Sequence, residues 1–241
     1  MFSKHELKIK NGDEKHSRPT LLSNFILGSQ DGLVNVLGII LGVAAATSDV
    51  RIIFVAALAA LGAESISMGA VAYTSTVARR QHYLKEVVRE KEEMVELPKL
   101  EREEVRKVFK AWGYVGKKLE HATDIITSNK KAWLEFMMAH ELNLAPVNEK
   151  EAINSFWVVF TSTIVGSIVP LVPFIYFTRS IFTGEIASIV LSGAVLFGIG
   201  VYEARTTVGS LWVRGLQMAA IGLTAGFAGY LIGHFIGAIP I

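Results

Sequence analysis

Cysteine is absent from this chain of 241 residues. A chain without cysteine forms no disulfide, binds no metal through a thiolate and has no cysteine nucleophile. The six histidines form neither a His-x-His nor a His-Glu-x-x-His cluster. A phosphate-binding loop, a nucleophile elbow and a dinucleotide-binding fingerprint are missing as well. These absences argue against a thiolate metal protein, a cysteine hydrolase and an ATP-driven pump.

Charge is scarce and unevenly distributed. Only 19% of the residues are charged, and they crowd into residues 1–18 and 79–151. The net charge of +2 comes with no basic patch interleaved with aromatic residues, so we expect no nucleic-acid partner. The polar N-terminus has no adjacent apolar region with a cleavage site, and we expect no cleavable signal peptide.

Five apolar stretches are long enough to cross a bilayer, which takes a helix of about 20 residues. They cover residues 21–46, 52–78, 152–177, 186–202 and 215–239, the fourth being the shortest. A chain of this length has no soluble core large enough to bury all five. The sequence therefore predicts an all-α polytopic membrane protein: a tail (1–20), transmembrane helices one and two (21–78), a polar helical insert (79–150) and helices three to five (151–241).

The distribution of lysine and arginine predicts the orientation, because cytoplasmic loops are enriched in these residues. The predicted cytoplasmic segments carry Lys4, Lys8, Lys10, Lys15, Arg18, Arg79, Arg80, Arg205 and Arg214. The other two loops carry only Arg51 and Arg179. We therefore expect the N-terminus and the insert to be cytosolic, and the C-terminus to lie outside the cell or in a lumen.

Two carboxylates fall inside the predicted spans, Asp31 and Glu64. Asn35 lies one helical turn from Asp31, and Met68 lies one turn from Glu64, so each pair shares a helix face. The first two spans are antiparallel neighbours, and these four side chains could surround one cavity. A charge at bilayer depth marks an ion or proton pathway. The alternative is an acid that is simply hydrogen-bonded to a neighbouring helix.

The insert contains a dense run of glutamate, with seven in the sixteen residues 90–105. Glu90 and Glu93 share one helix face, and Glu101 and Glu104 repeat the spacing beyond Pro98, which ends the first helix. Two antiparallel helices would bring these four carboxylates together, as helical bundles do when they bind iron or manganese. Like charges placed so closely repel one another unless a cation neutralises them.

Met137, Met138 and Glu141 lie three and four residues apart on a later helix of the insert. Carboxylates suit manganese, magnesium and calcium, and a thioether adds a preference for a transition metal. The alternative interpretation is a solvated charge run beside methionines that belong to the core. His82 and His121 also lie in the insert and are expected at its surface.

Four segments together resemble the vacuolar iron transporter family, and the likeness runs from about residue 21 to the C-terminus. They are GSQDGLVNVLGIILGVA, ESISMGAVAY, RRQHYLKEVVREKEEM and AWLEFMMAHELNL. The resemblance implies a homodimer with five transmembrane helices per subunit and no prosthetic group. It also implies export of Fe²⁺, and often Mn²⁺, from the cytosol in exchange for protons. The membrane would be the plasma membrane of a prokaryote or the vacuolar membrane of a eukaryote.

By motif position the resemblance assigns a ligand set in the insert and a path in the membrane. The implied cytosolic ligands are Glu90, Glu93, Glu101, Glu104, Met137, Met138 and Glu141. The implied path includes Asp31 and Met68. The plant-type pattern has a glutamate where this chain has Ala60, whereas Glu64 stands one turn before Met68. Either the carboxylate has moved one turn along the same face, or Glu64 has a different role.

Three other functions stay open at this point. The first keeps the architecture and changes the ion, giving a Mn²⁺ or broad divalent-metal exporter. The second is a membrane-anchored di-iron oxidase, although such sites usually also contain a Glu-x-x-His motif that this chain lacks. The third is a metal sensor, which leaves the pair of intramembrane acids unexplained. The sequence thus favours a secondary transporter over an enzyme.

Overall fold

The computed structural model describes residues 19–178, 180–207 and 209–237, and in these ranges it contains helices and no strand. We label the helices α1 (Pro19–Ala46), α2 (Val50–Glu96), α3 (Pro98–Ala111), α4 (Gly116–Thr127), α5 (Lys130–Phe136), α6 (Glu149–Tyr176), α7 (Ile181–Thr206) and α8 (Leu211–Gly237). A π-helical turn, Met137–Glu141, follows α5 directly. The basic residues predicted for the N-terminal tail and Arg179 lie outside the described residues.

The chain divides into two compact units. The first comprises the described residues of Met1–Gly69 and Trp157–Ile241, and the second comprises Ala70–Phe156. The long helices α2 and α6 each contribute to both units. The first unit contains the apolar helices, and the second contains the glutamate-rich segment.

Five helices, α1, α2, α6, α7 and α8, are long and apolar enough to cross a membrane. They confirm the five predicted spans, and the largest change in bounds is at the fourth. We predicted the fourth span at 186–202, but α7 begins at Ile181 because the Ser180 side chain accepts a hydrogen bond from the Thr183 N–H and caps the helix. Glu185, which we had placed outside the span, therefore lies one turn inside α7.

Glycines of α1 let this helix touch α6 backbone to backbone. A Cβ on Gly28 would lie 2.7 Å from the carbonyl oxygen of Val159, and one on Gly32 would overlap the carbonyl oxygen of Thr163. Glycine at these positions permits a close approach that any larger residue would prevent. The side chain of Asp31, between the two glycines in sequence, is consequently held at a fixed distance from α6.

A second glycine contact joins α1 to α8. A Cβ on Gly42 would lie 2.8 Å from the carbonyl oxygen of Gly229, and one on Gly233 would overlap the carbonyl oxygen of Gly42. Apolar side chains fill the remaining space of the unit: one buried cluster joins α1, α2 and α6 and consists of Val36, Ile40, Ile53, Ala57, Leu171 and Phe174. Helix α1 is therefore the central helix of the first unit.

The second unit follows the predicted order of helix breaks. Helix α2 ends at Glu96 and α3 begins at Pro98, whose missing N–H costs nothing at the first helical position. Helix α3 ends just before Gly113, which has a φ of 89° that favours glycine. A buried apolar cluster, Met94, Val105, Phe109, Leu119, Trp133, Phe136 and Met137, forms the core of this unit.

Ion pairs join α3 to α4, on a face of α3 that points away from the apolar core. Arg102 Nη2 lies 2.7 Å from Asp124 Oδ1, and Arg106 Nε lies 2.8 Å from Glu120 Oε1. These arginines therefore neutralise acids of α4. The glutamates of the candidate site on α3, Glu101 and Glu104, lie on a different face of the helix.

Replacing Gly233 by alanine should destabilise the first unit, because the new methyl group would overlap the backbone of Gly42 and push α8 away from α1. Overpacking of this kind costs roughly 1–3 kcal/mol. The measurement is the unfolding temperature of the purified protein in detergent. Gly62→Ala is the matched control, since nothing lies within 4 Å of a Cβ there. Equal unfolding temperatures for the two variants would contradict the close α1–α8 contact.

Candidate metal centre

Three carboxylates of the second unit converge on one point. One oxygen each from Glu90, Glu101 and Glu141 lies within 4.8 Å of the other two, and no other group of three or more acidic or histidine side chains in the described residues does this. Two oxygens bound to the same divalent cation, each at 2.0–2.6 Å, are at most about 5 Å apart. The spacing therefore fits one shared metal ion.

Each of the three carboxylates has one oxygen without a hydrogen-bond partner. Glu90 is 1% exposed and Glu101 is 3% exposed, while Glu141 is half-buried. The Oε2 atoms of all three are buried, and none of them has a hydrogen-bond partner in the part of the chain that the structure describes. A buried carboxylate without a partner is costly unless it is protonated or bound to a cation. The cluster therefore requires either protons on its carboxylates or a cation between them.

The electrostatics of the cluster agree with this requirement. Burial, followed by repulsion from the nearby carboxylates of Glu104 and Glu90, raises the pKa of Glu101 to about 7. Burial, followed by repulsion from Glu104 and Glu90, likewise raises the pKa of Glu141 to about 7. Burial also raises the pKa of Glu90, although Arg89 opposes this change. Glu93 adds repulsion at each of the three, so all five predicted glutamates share one electrostatic neighbourhood.

Local chain geometry places these side chains. Glu90 lies in the last two turns of α2, and the break at Pro98 brings Glu101, in the first turn of α3, back toward it. Glu141 ends the π-helical turn, in which the Leu142 N–H donates to the Met137 carbonyl oxygen at 3.1 Å. We expected an ordinary helix over residues 137–141, and the wider turn is a correction to that expectation. Such π-helical turns are frequent at functional sites.

The two predicted methionine ligands are both buried. Met137 is 0% exposed and belongs to the apolar core with Phe109 and Phe136, and Met138 is 3% exposed. Glu93 and Glu104 are half-buried beside the three-glutamate cluster. The packing of Met137 accounts for its conformation without a metal, so a role for its sulfur stays a prediction.

Two residues that we did not predict complete the surroundings of Glu90. Arg89 Nη1 lies 2.8 Å from Glu86 Oε2, its Nη2 lies 3.4 Å from Glu90 Oε1, and its Nε lies 3.5 Å from Glu93 Oε2. Arg89 thus engages one oxygen of Glu90, while the other oxygen is the unpartnered one. Glu86 is buried one turn before Glu90 on the same face of α2. The sequence signal for Glu86 was the spacing of 86, 90 and 93, which continues the acidic face by one turn.

A second group of polar side chains lies in the first unit. Asn35 Nδ2 donates to Asp31 Oδ1 at 3.4 Å and also donates to Glu64 Oε1. The structure therefore brings together three of the four side chains predicted on the first two spans. Met68 is half-buried one turn beyond Glu64. Asp31 and Glu64 are half-buried as well, whereas Asn35 is exposed on the surface of the single chain.

Comparison with known proteins identifies the family. The VIT family model matches residues 22–234, which is most of the chain. This protein belongs to the VIT family. Its relatives include vacuolar iron transporter 2 of Oryza sativa subsp. japonica, with 29% identity over 94% of this chain and 92% of the relative. Vacuolar iron transporter 1 of the same plant has 30% identity over 87% of this chain and 83% of the relative.

The family extends to a parasite. The vacuolar iron transporter of Plasmodium falciparum is 27% identical over 93% of this VIT-family chain and 85% of its own length. The resemblance predicted from four sequence segments is thereby confirmed across nearly the whole chain.

Substituting Glu101 by glutamine should weaken binding of Mn²⁺ to the full-length protein by about tenfold or more, since a ligand and a charge are lost together. Glu103→Gln is the matched control, because Glu103 pairs with Arg106 at 3.0 Å. Isothermal titration calorimetry in detergent provides both affinities. A Glu103→Gln protein that loses as much affinity as Glu101→Gln would show that the site lies elsewhere.

The metal-free protein should lose stability as pH rises. Glu101 and Glu141 have a pKa of about 7 when folded and an ordinary value of 4.5, so folding favours their protonated forms. Their contribution is fully present below 4.5 and is lost as pH rises through 7. Thermal unfolding of chelator-treated protein between pH 5 and 8 measures this loss, and added Mn²⁺ should stabilise most at pH 8. Equal stabilisation by Mn²⁺ at pH 5 and pH 8 would contradict the account.

Proposed function

We propose that this VIT-family protein is a homodimeric secondary transporter that exports Fe²⁺, and also Mn²⁺, from the cytosol in exchange for protons. The observation that carries the proposal is the cluster of Glu90, Glu101 and Glu141, whose buried oxygens lack partners. The printed names of the relatives support iron as the substrate. The five apolar helices support transport across a membrane rather than storage.

Metal capture is the role we assign to the polar insert, residues 79–150, which the distribution of basic residues places in the cytosol together with the N-terminus. Glu90, Glu101 and Glu141 bind the ion directly, and Glu93 and Glu104 add negative potential that attracts it. Met138, and Met137 after a side-chain rearrangement, supply thioether sulfur that favours a transition metal over calcium or magnesium. The insert thus collects metal from a dilute cytosolic pool.

The membrane path that we assign consists of Asp31, Asn35, Glu64 and Met68. Asn35 connects the two acids through its amide group, so α1 and α2 present their oxygens to one space. Glu64 then supplies the carboxylate that the plant-type pattern has one turn earlier, at the position of Ala60. The deprotonated acids bind the cation, and protons arriving from the opposite side neutralise them and release it.

Proton coupling follows from competition for the same oxygen atoms. A carboxylate that holds a metal ion cannot hold a proton, so each metal ion released on the acidic side leaves sites that protons occupy. Return of the protonated acids to the cytosolic side then carries protons inward. A pH gradient that is acidic outside, or in a lumen, therefore drives export.

The partial exposure of these polar side chains supports a homodimer. Asn35 is exposed on the surface of the single chain and the two acids beside it are half-buried, although all three belong to apolar helices. An ionisable side chain does not face lipid, so this surface faces a water-filled cavity, which a second subunit would enclose. Light scattering in detergent should give the mass of two 26.3-kDa chains, and a monomeric mass would contradict the dimer.

Mn²⁺ is the second substrate that the site favours. The three converging atoms are carboxylate oxygens, which bind Mn²⁺ as readily as Fe²⁺ because both are divalent ions of the same series. Competition between the two ions in a flux assay gives their relative preference. A protein that binds both ions but transports neither would instead be a sensor, and oxygen consumption on addition of Fe²⁺ would indicate an oxidase.

Asp31→Asn should abolish Fe²⁺ uptake into proteoliposomes with an acidic interior, because the amide keeps the shape but can neither bind the cation strongly nor exchange a proton. Glu64→Gln should do the same if Glu64 replaces the family glutamate. Asp49→Asn is the control, since Asp49 lies in the α1–α2 loop and caps α2 through the Arg51 N–H at 2.8 Å. Full uptake by Asp31→Asn would rule out the proposed path, and full uptake by Glu64→Gln would remove Glu64 from it.

A further inference from the structure

A cavity of about 520 Å³ lies at the end of the first unit where α1 and α8 begin and α7 ends. This volume is within the range of pockets that hold small ligands. None of the residues in the proposed metal site or membrane path lines it. The cavity therefore needs its own explanation.

The lining changes in character along the helices. Thr206, Thr207 and Arg214 lie at the helix ends, where the cavity opens. Leu27 and Ile221 line it further along, roughly 12 Å from the start of α1 and 15 Å from the start of α8 at 1.5 Å per residue. The side chains of Leu27 and Ile221 are about half exposed, at 51% and 52%. The polar end therefore continues into an apolar surface that lipid chains would contact.

Two opposite charges line the cavity without pairing. Glu203, in the last turn of α7, and Arg214, in the first turn of α8, both contribute to its walls. They form no salt bridge with each other, so more than 4.0 Å separates their charged atoms. The nearest recorded partner of the arginine is Gln217 Oε1, at 3.4 Å from Nη1. The cavity thus offers one anionic and one cationic group with space between them.

Helix stability does not explain these two charges. An acid is favoured near a helix N-terminus and a base near a C-terminus, whereas Glu203 and Arg214 have the reverse arrangement. A ligand with complementary charges would compensate for both unfavourable positions.

Aromatic side chains place this end of the unit at the level of the lipid headgroups. Tyr202 is 49% exposed and Trp212 is 71% exposed, and they are sequence neighbours of Glu203 and Arg214. Exposed tyrosine and tryptophan are enriched at the membrane–water interface. The ligand best placed to reach this cavity is therefore a membrane lipid.

We propose that the cavity binds the headgroup of phosphatidylethanolamine, with its phosphate on Arg214, its ammonium on Glu203 and its acyl chains along Leu27 and Ile221. The primary ammonium donates hydrogen bonds to a carboxylate, which the quaternary ammonium of phosphatidylcholine cannot do. Phosphatidylglycerol would place its phosphate on Arg214 as well, but its neutral glycerol group would leave the carboxylate of Glu203 without a cation. Hydroxyl groups of Thr206 and Thr207 are available to the phosphate oxygens.

Native mass spectrometry of the full-length protein in detergent tests this proposal. The protein is titrated with dioleoyl lipids that differ only in headgroup: phosphatidylethanolamine, its N,N-dimethyl derivative, phosphatidylcholine and phosphatidylglycerol. We expect about tenfold greater retention of phosphatidylethanolamine than of phosphatidylcholine, the size of one charge-assisted hydrogen bond. The dimethyl lipid should fall between the two.

Variants separate the roles of the two charges. Glu203→Gln should bring the ethanolamine-to-choline ratio close to one and leave retention of phosphatidylcholine unchanged. Arg214→Gln should lower retention of every phospholipid, and Ile221→Trp, which fills the cavity, should do so without altering charge. Arg205→Gln and Glu185→Gln are the matched controls, since neither residue lines this cavity. Elution volume and helical circular dichroism confirm that each variant is folded.

Several results would overturn the proposal. Equal retention of phosphatidylethanolamine and phosphatidylcholine by the unsubstituted protein would do so, as would stronger retention of phosphatidylglycerol. An unchanged ratio in a folded Glu203→Gln protein would remove the carboxylate from recognition. Binding of soluble phosphoethanolamine without binding of the diacyl lipid would show that the cavity takes a free phosphate ester. These readouts are independent of metal transport, so the lipid proposal and the transport proposal can fail separately.

Discussion

The second unit depends on one electrostatic constraint: three carboxylates bring oxygens within 4.8 Å of one another, and each has a buried oxygen without a hydrogen-bond partner. Such an arrangement is stable only with a cation or protons at its centre. The fold keeps the carboxylates close through contacts that do not involve them, since an aromatic and aliphatic core holds α3 and α5 together. The ion pairs between α3 and α4 lie on the other face of α3. The carboxylates are therefore held together by the fold itself, as the metal capture that we propose requires.

The first unit positions its acids by a different means. Backbone contacts at Gly28 and Gly32 fix α1 against α6, and contacts at Gly42 and Gly233 fix it against α8. Asp31 lies on the helix that these contacts fix, and Asn35 connects it to Glu64. Proximity of the acids thus follows from small residues that let helices touch.

Much of this could be predicted from the sequence, and the misses have physical causes. Long uncharged stretches specify spans, proline specifies the α2–α3 break, and the spacing of Glu90, Glu93, Glu101 and Glu104 specifies a shared neighbourhood. The π-helical turn before Glu141 could not be predicted, because the α-helical period gives no sign of an i→i−5 hydrogen bond. The role of Arg89 was hidden by its place within a mixed-charge run. The sequence could not decide between core packing and metal binding for Met137, because a methionine side chain suits both. The structure shows Met137 packed in the core.

Anomalous diffraction from crystals soaked in Mn²⁺ tests the central claim most directly, because it locates the ion without reference to activity. The account predicts a peak at about 2.0–2.6 Å from carboxylate oxygens of Glu90, Glu101 and Glu141. That peak should be lost in crystals of the Glu101→Gln protein. Ordered Mn²⁺ only at exposed acids such as Glu92 and Glu96, with the three carboxylates still unoccupied, would contradict it.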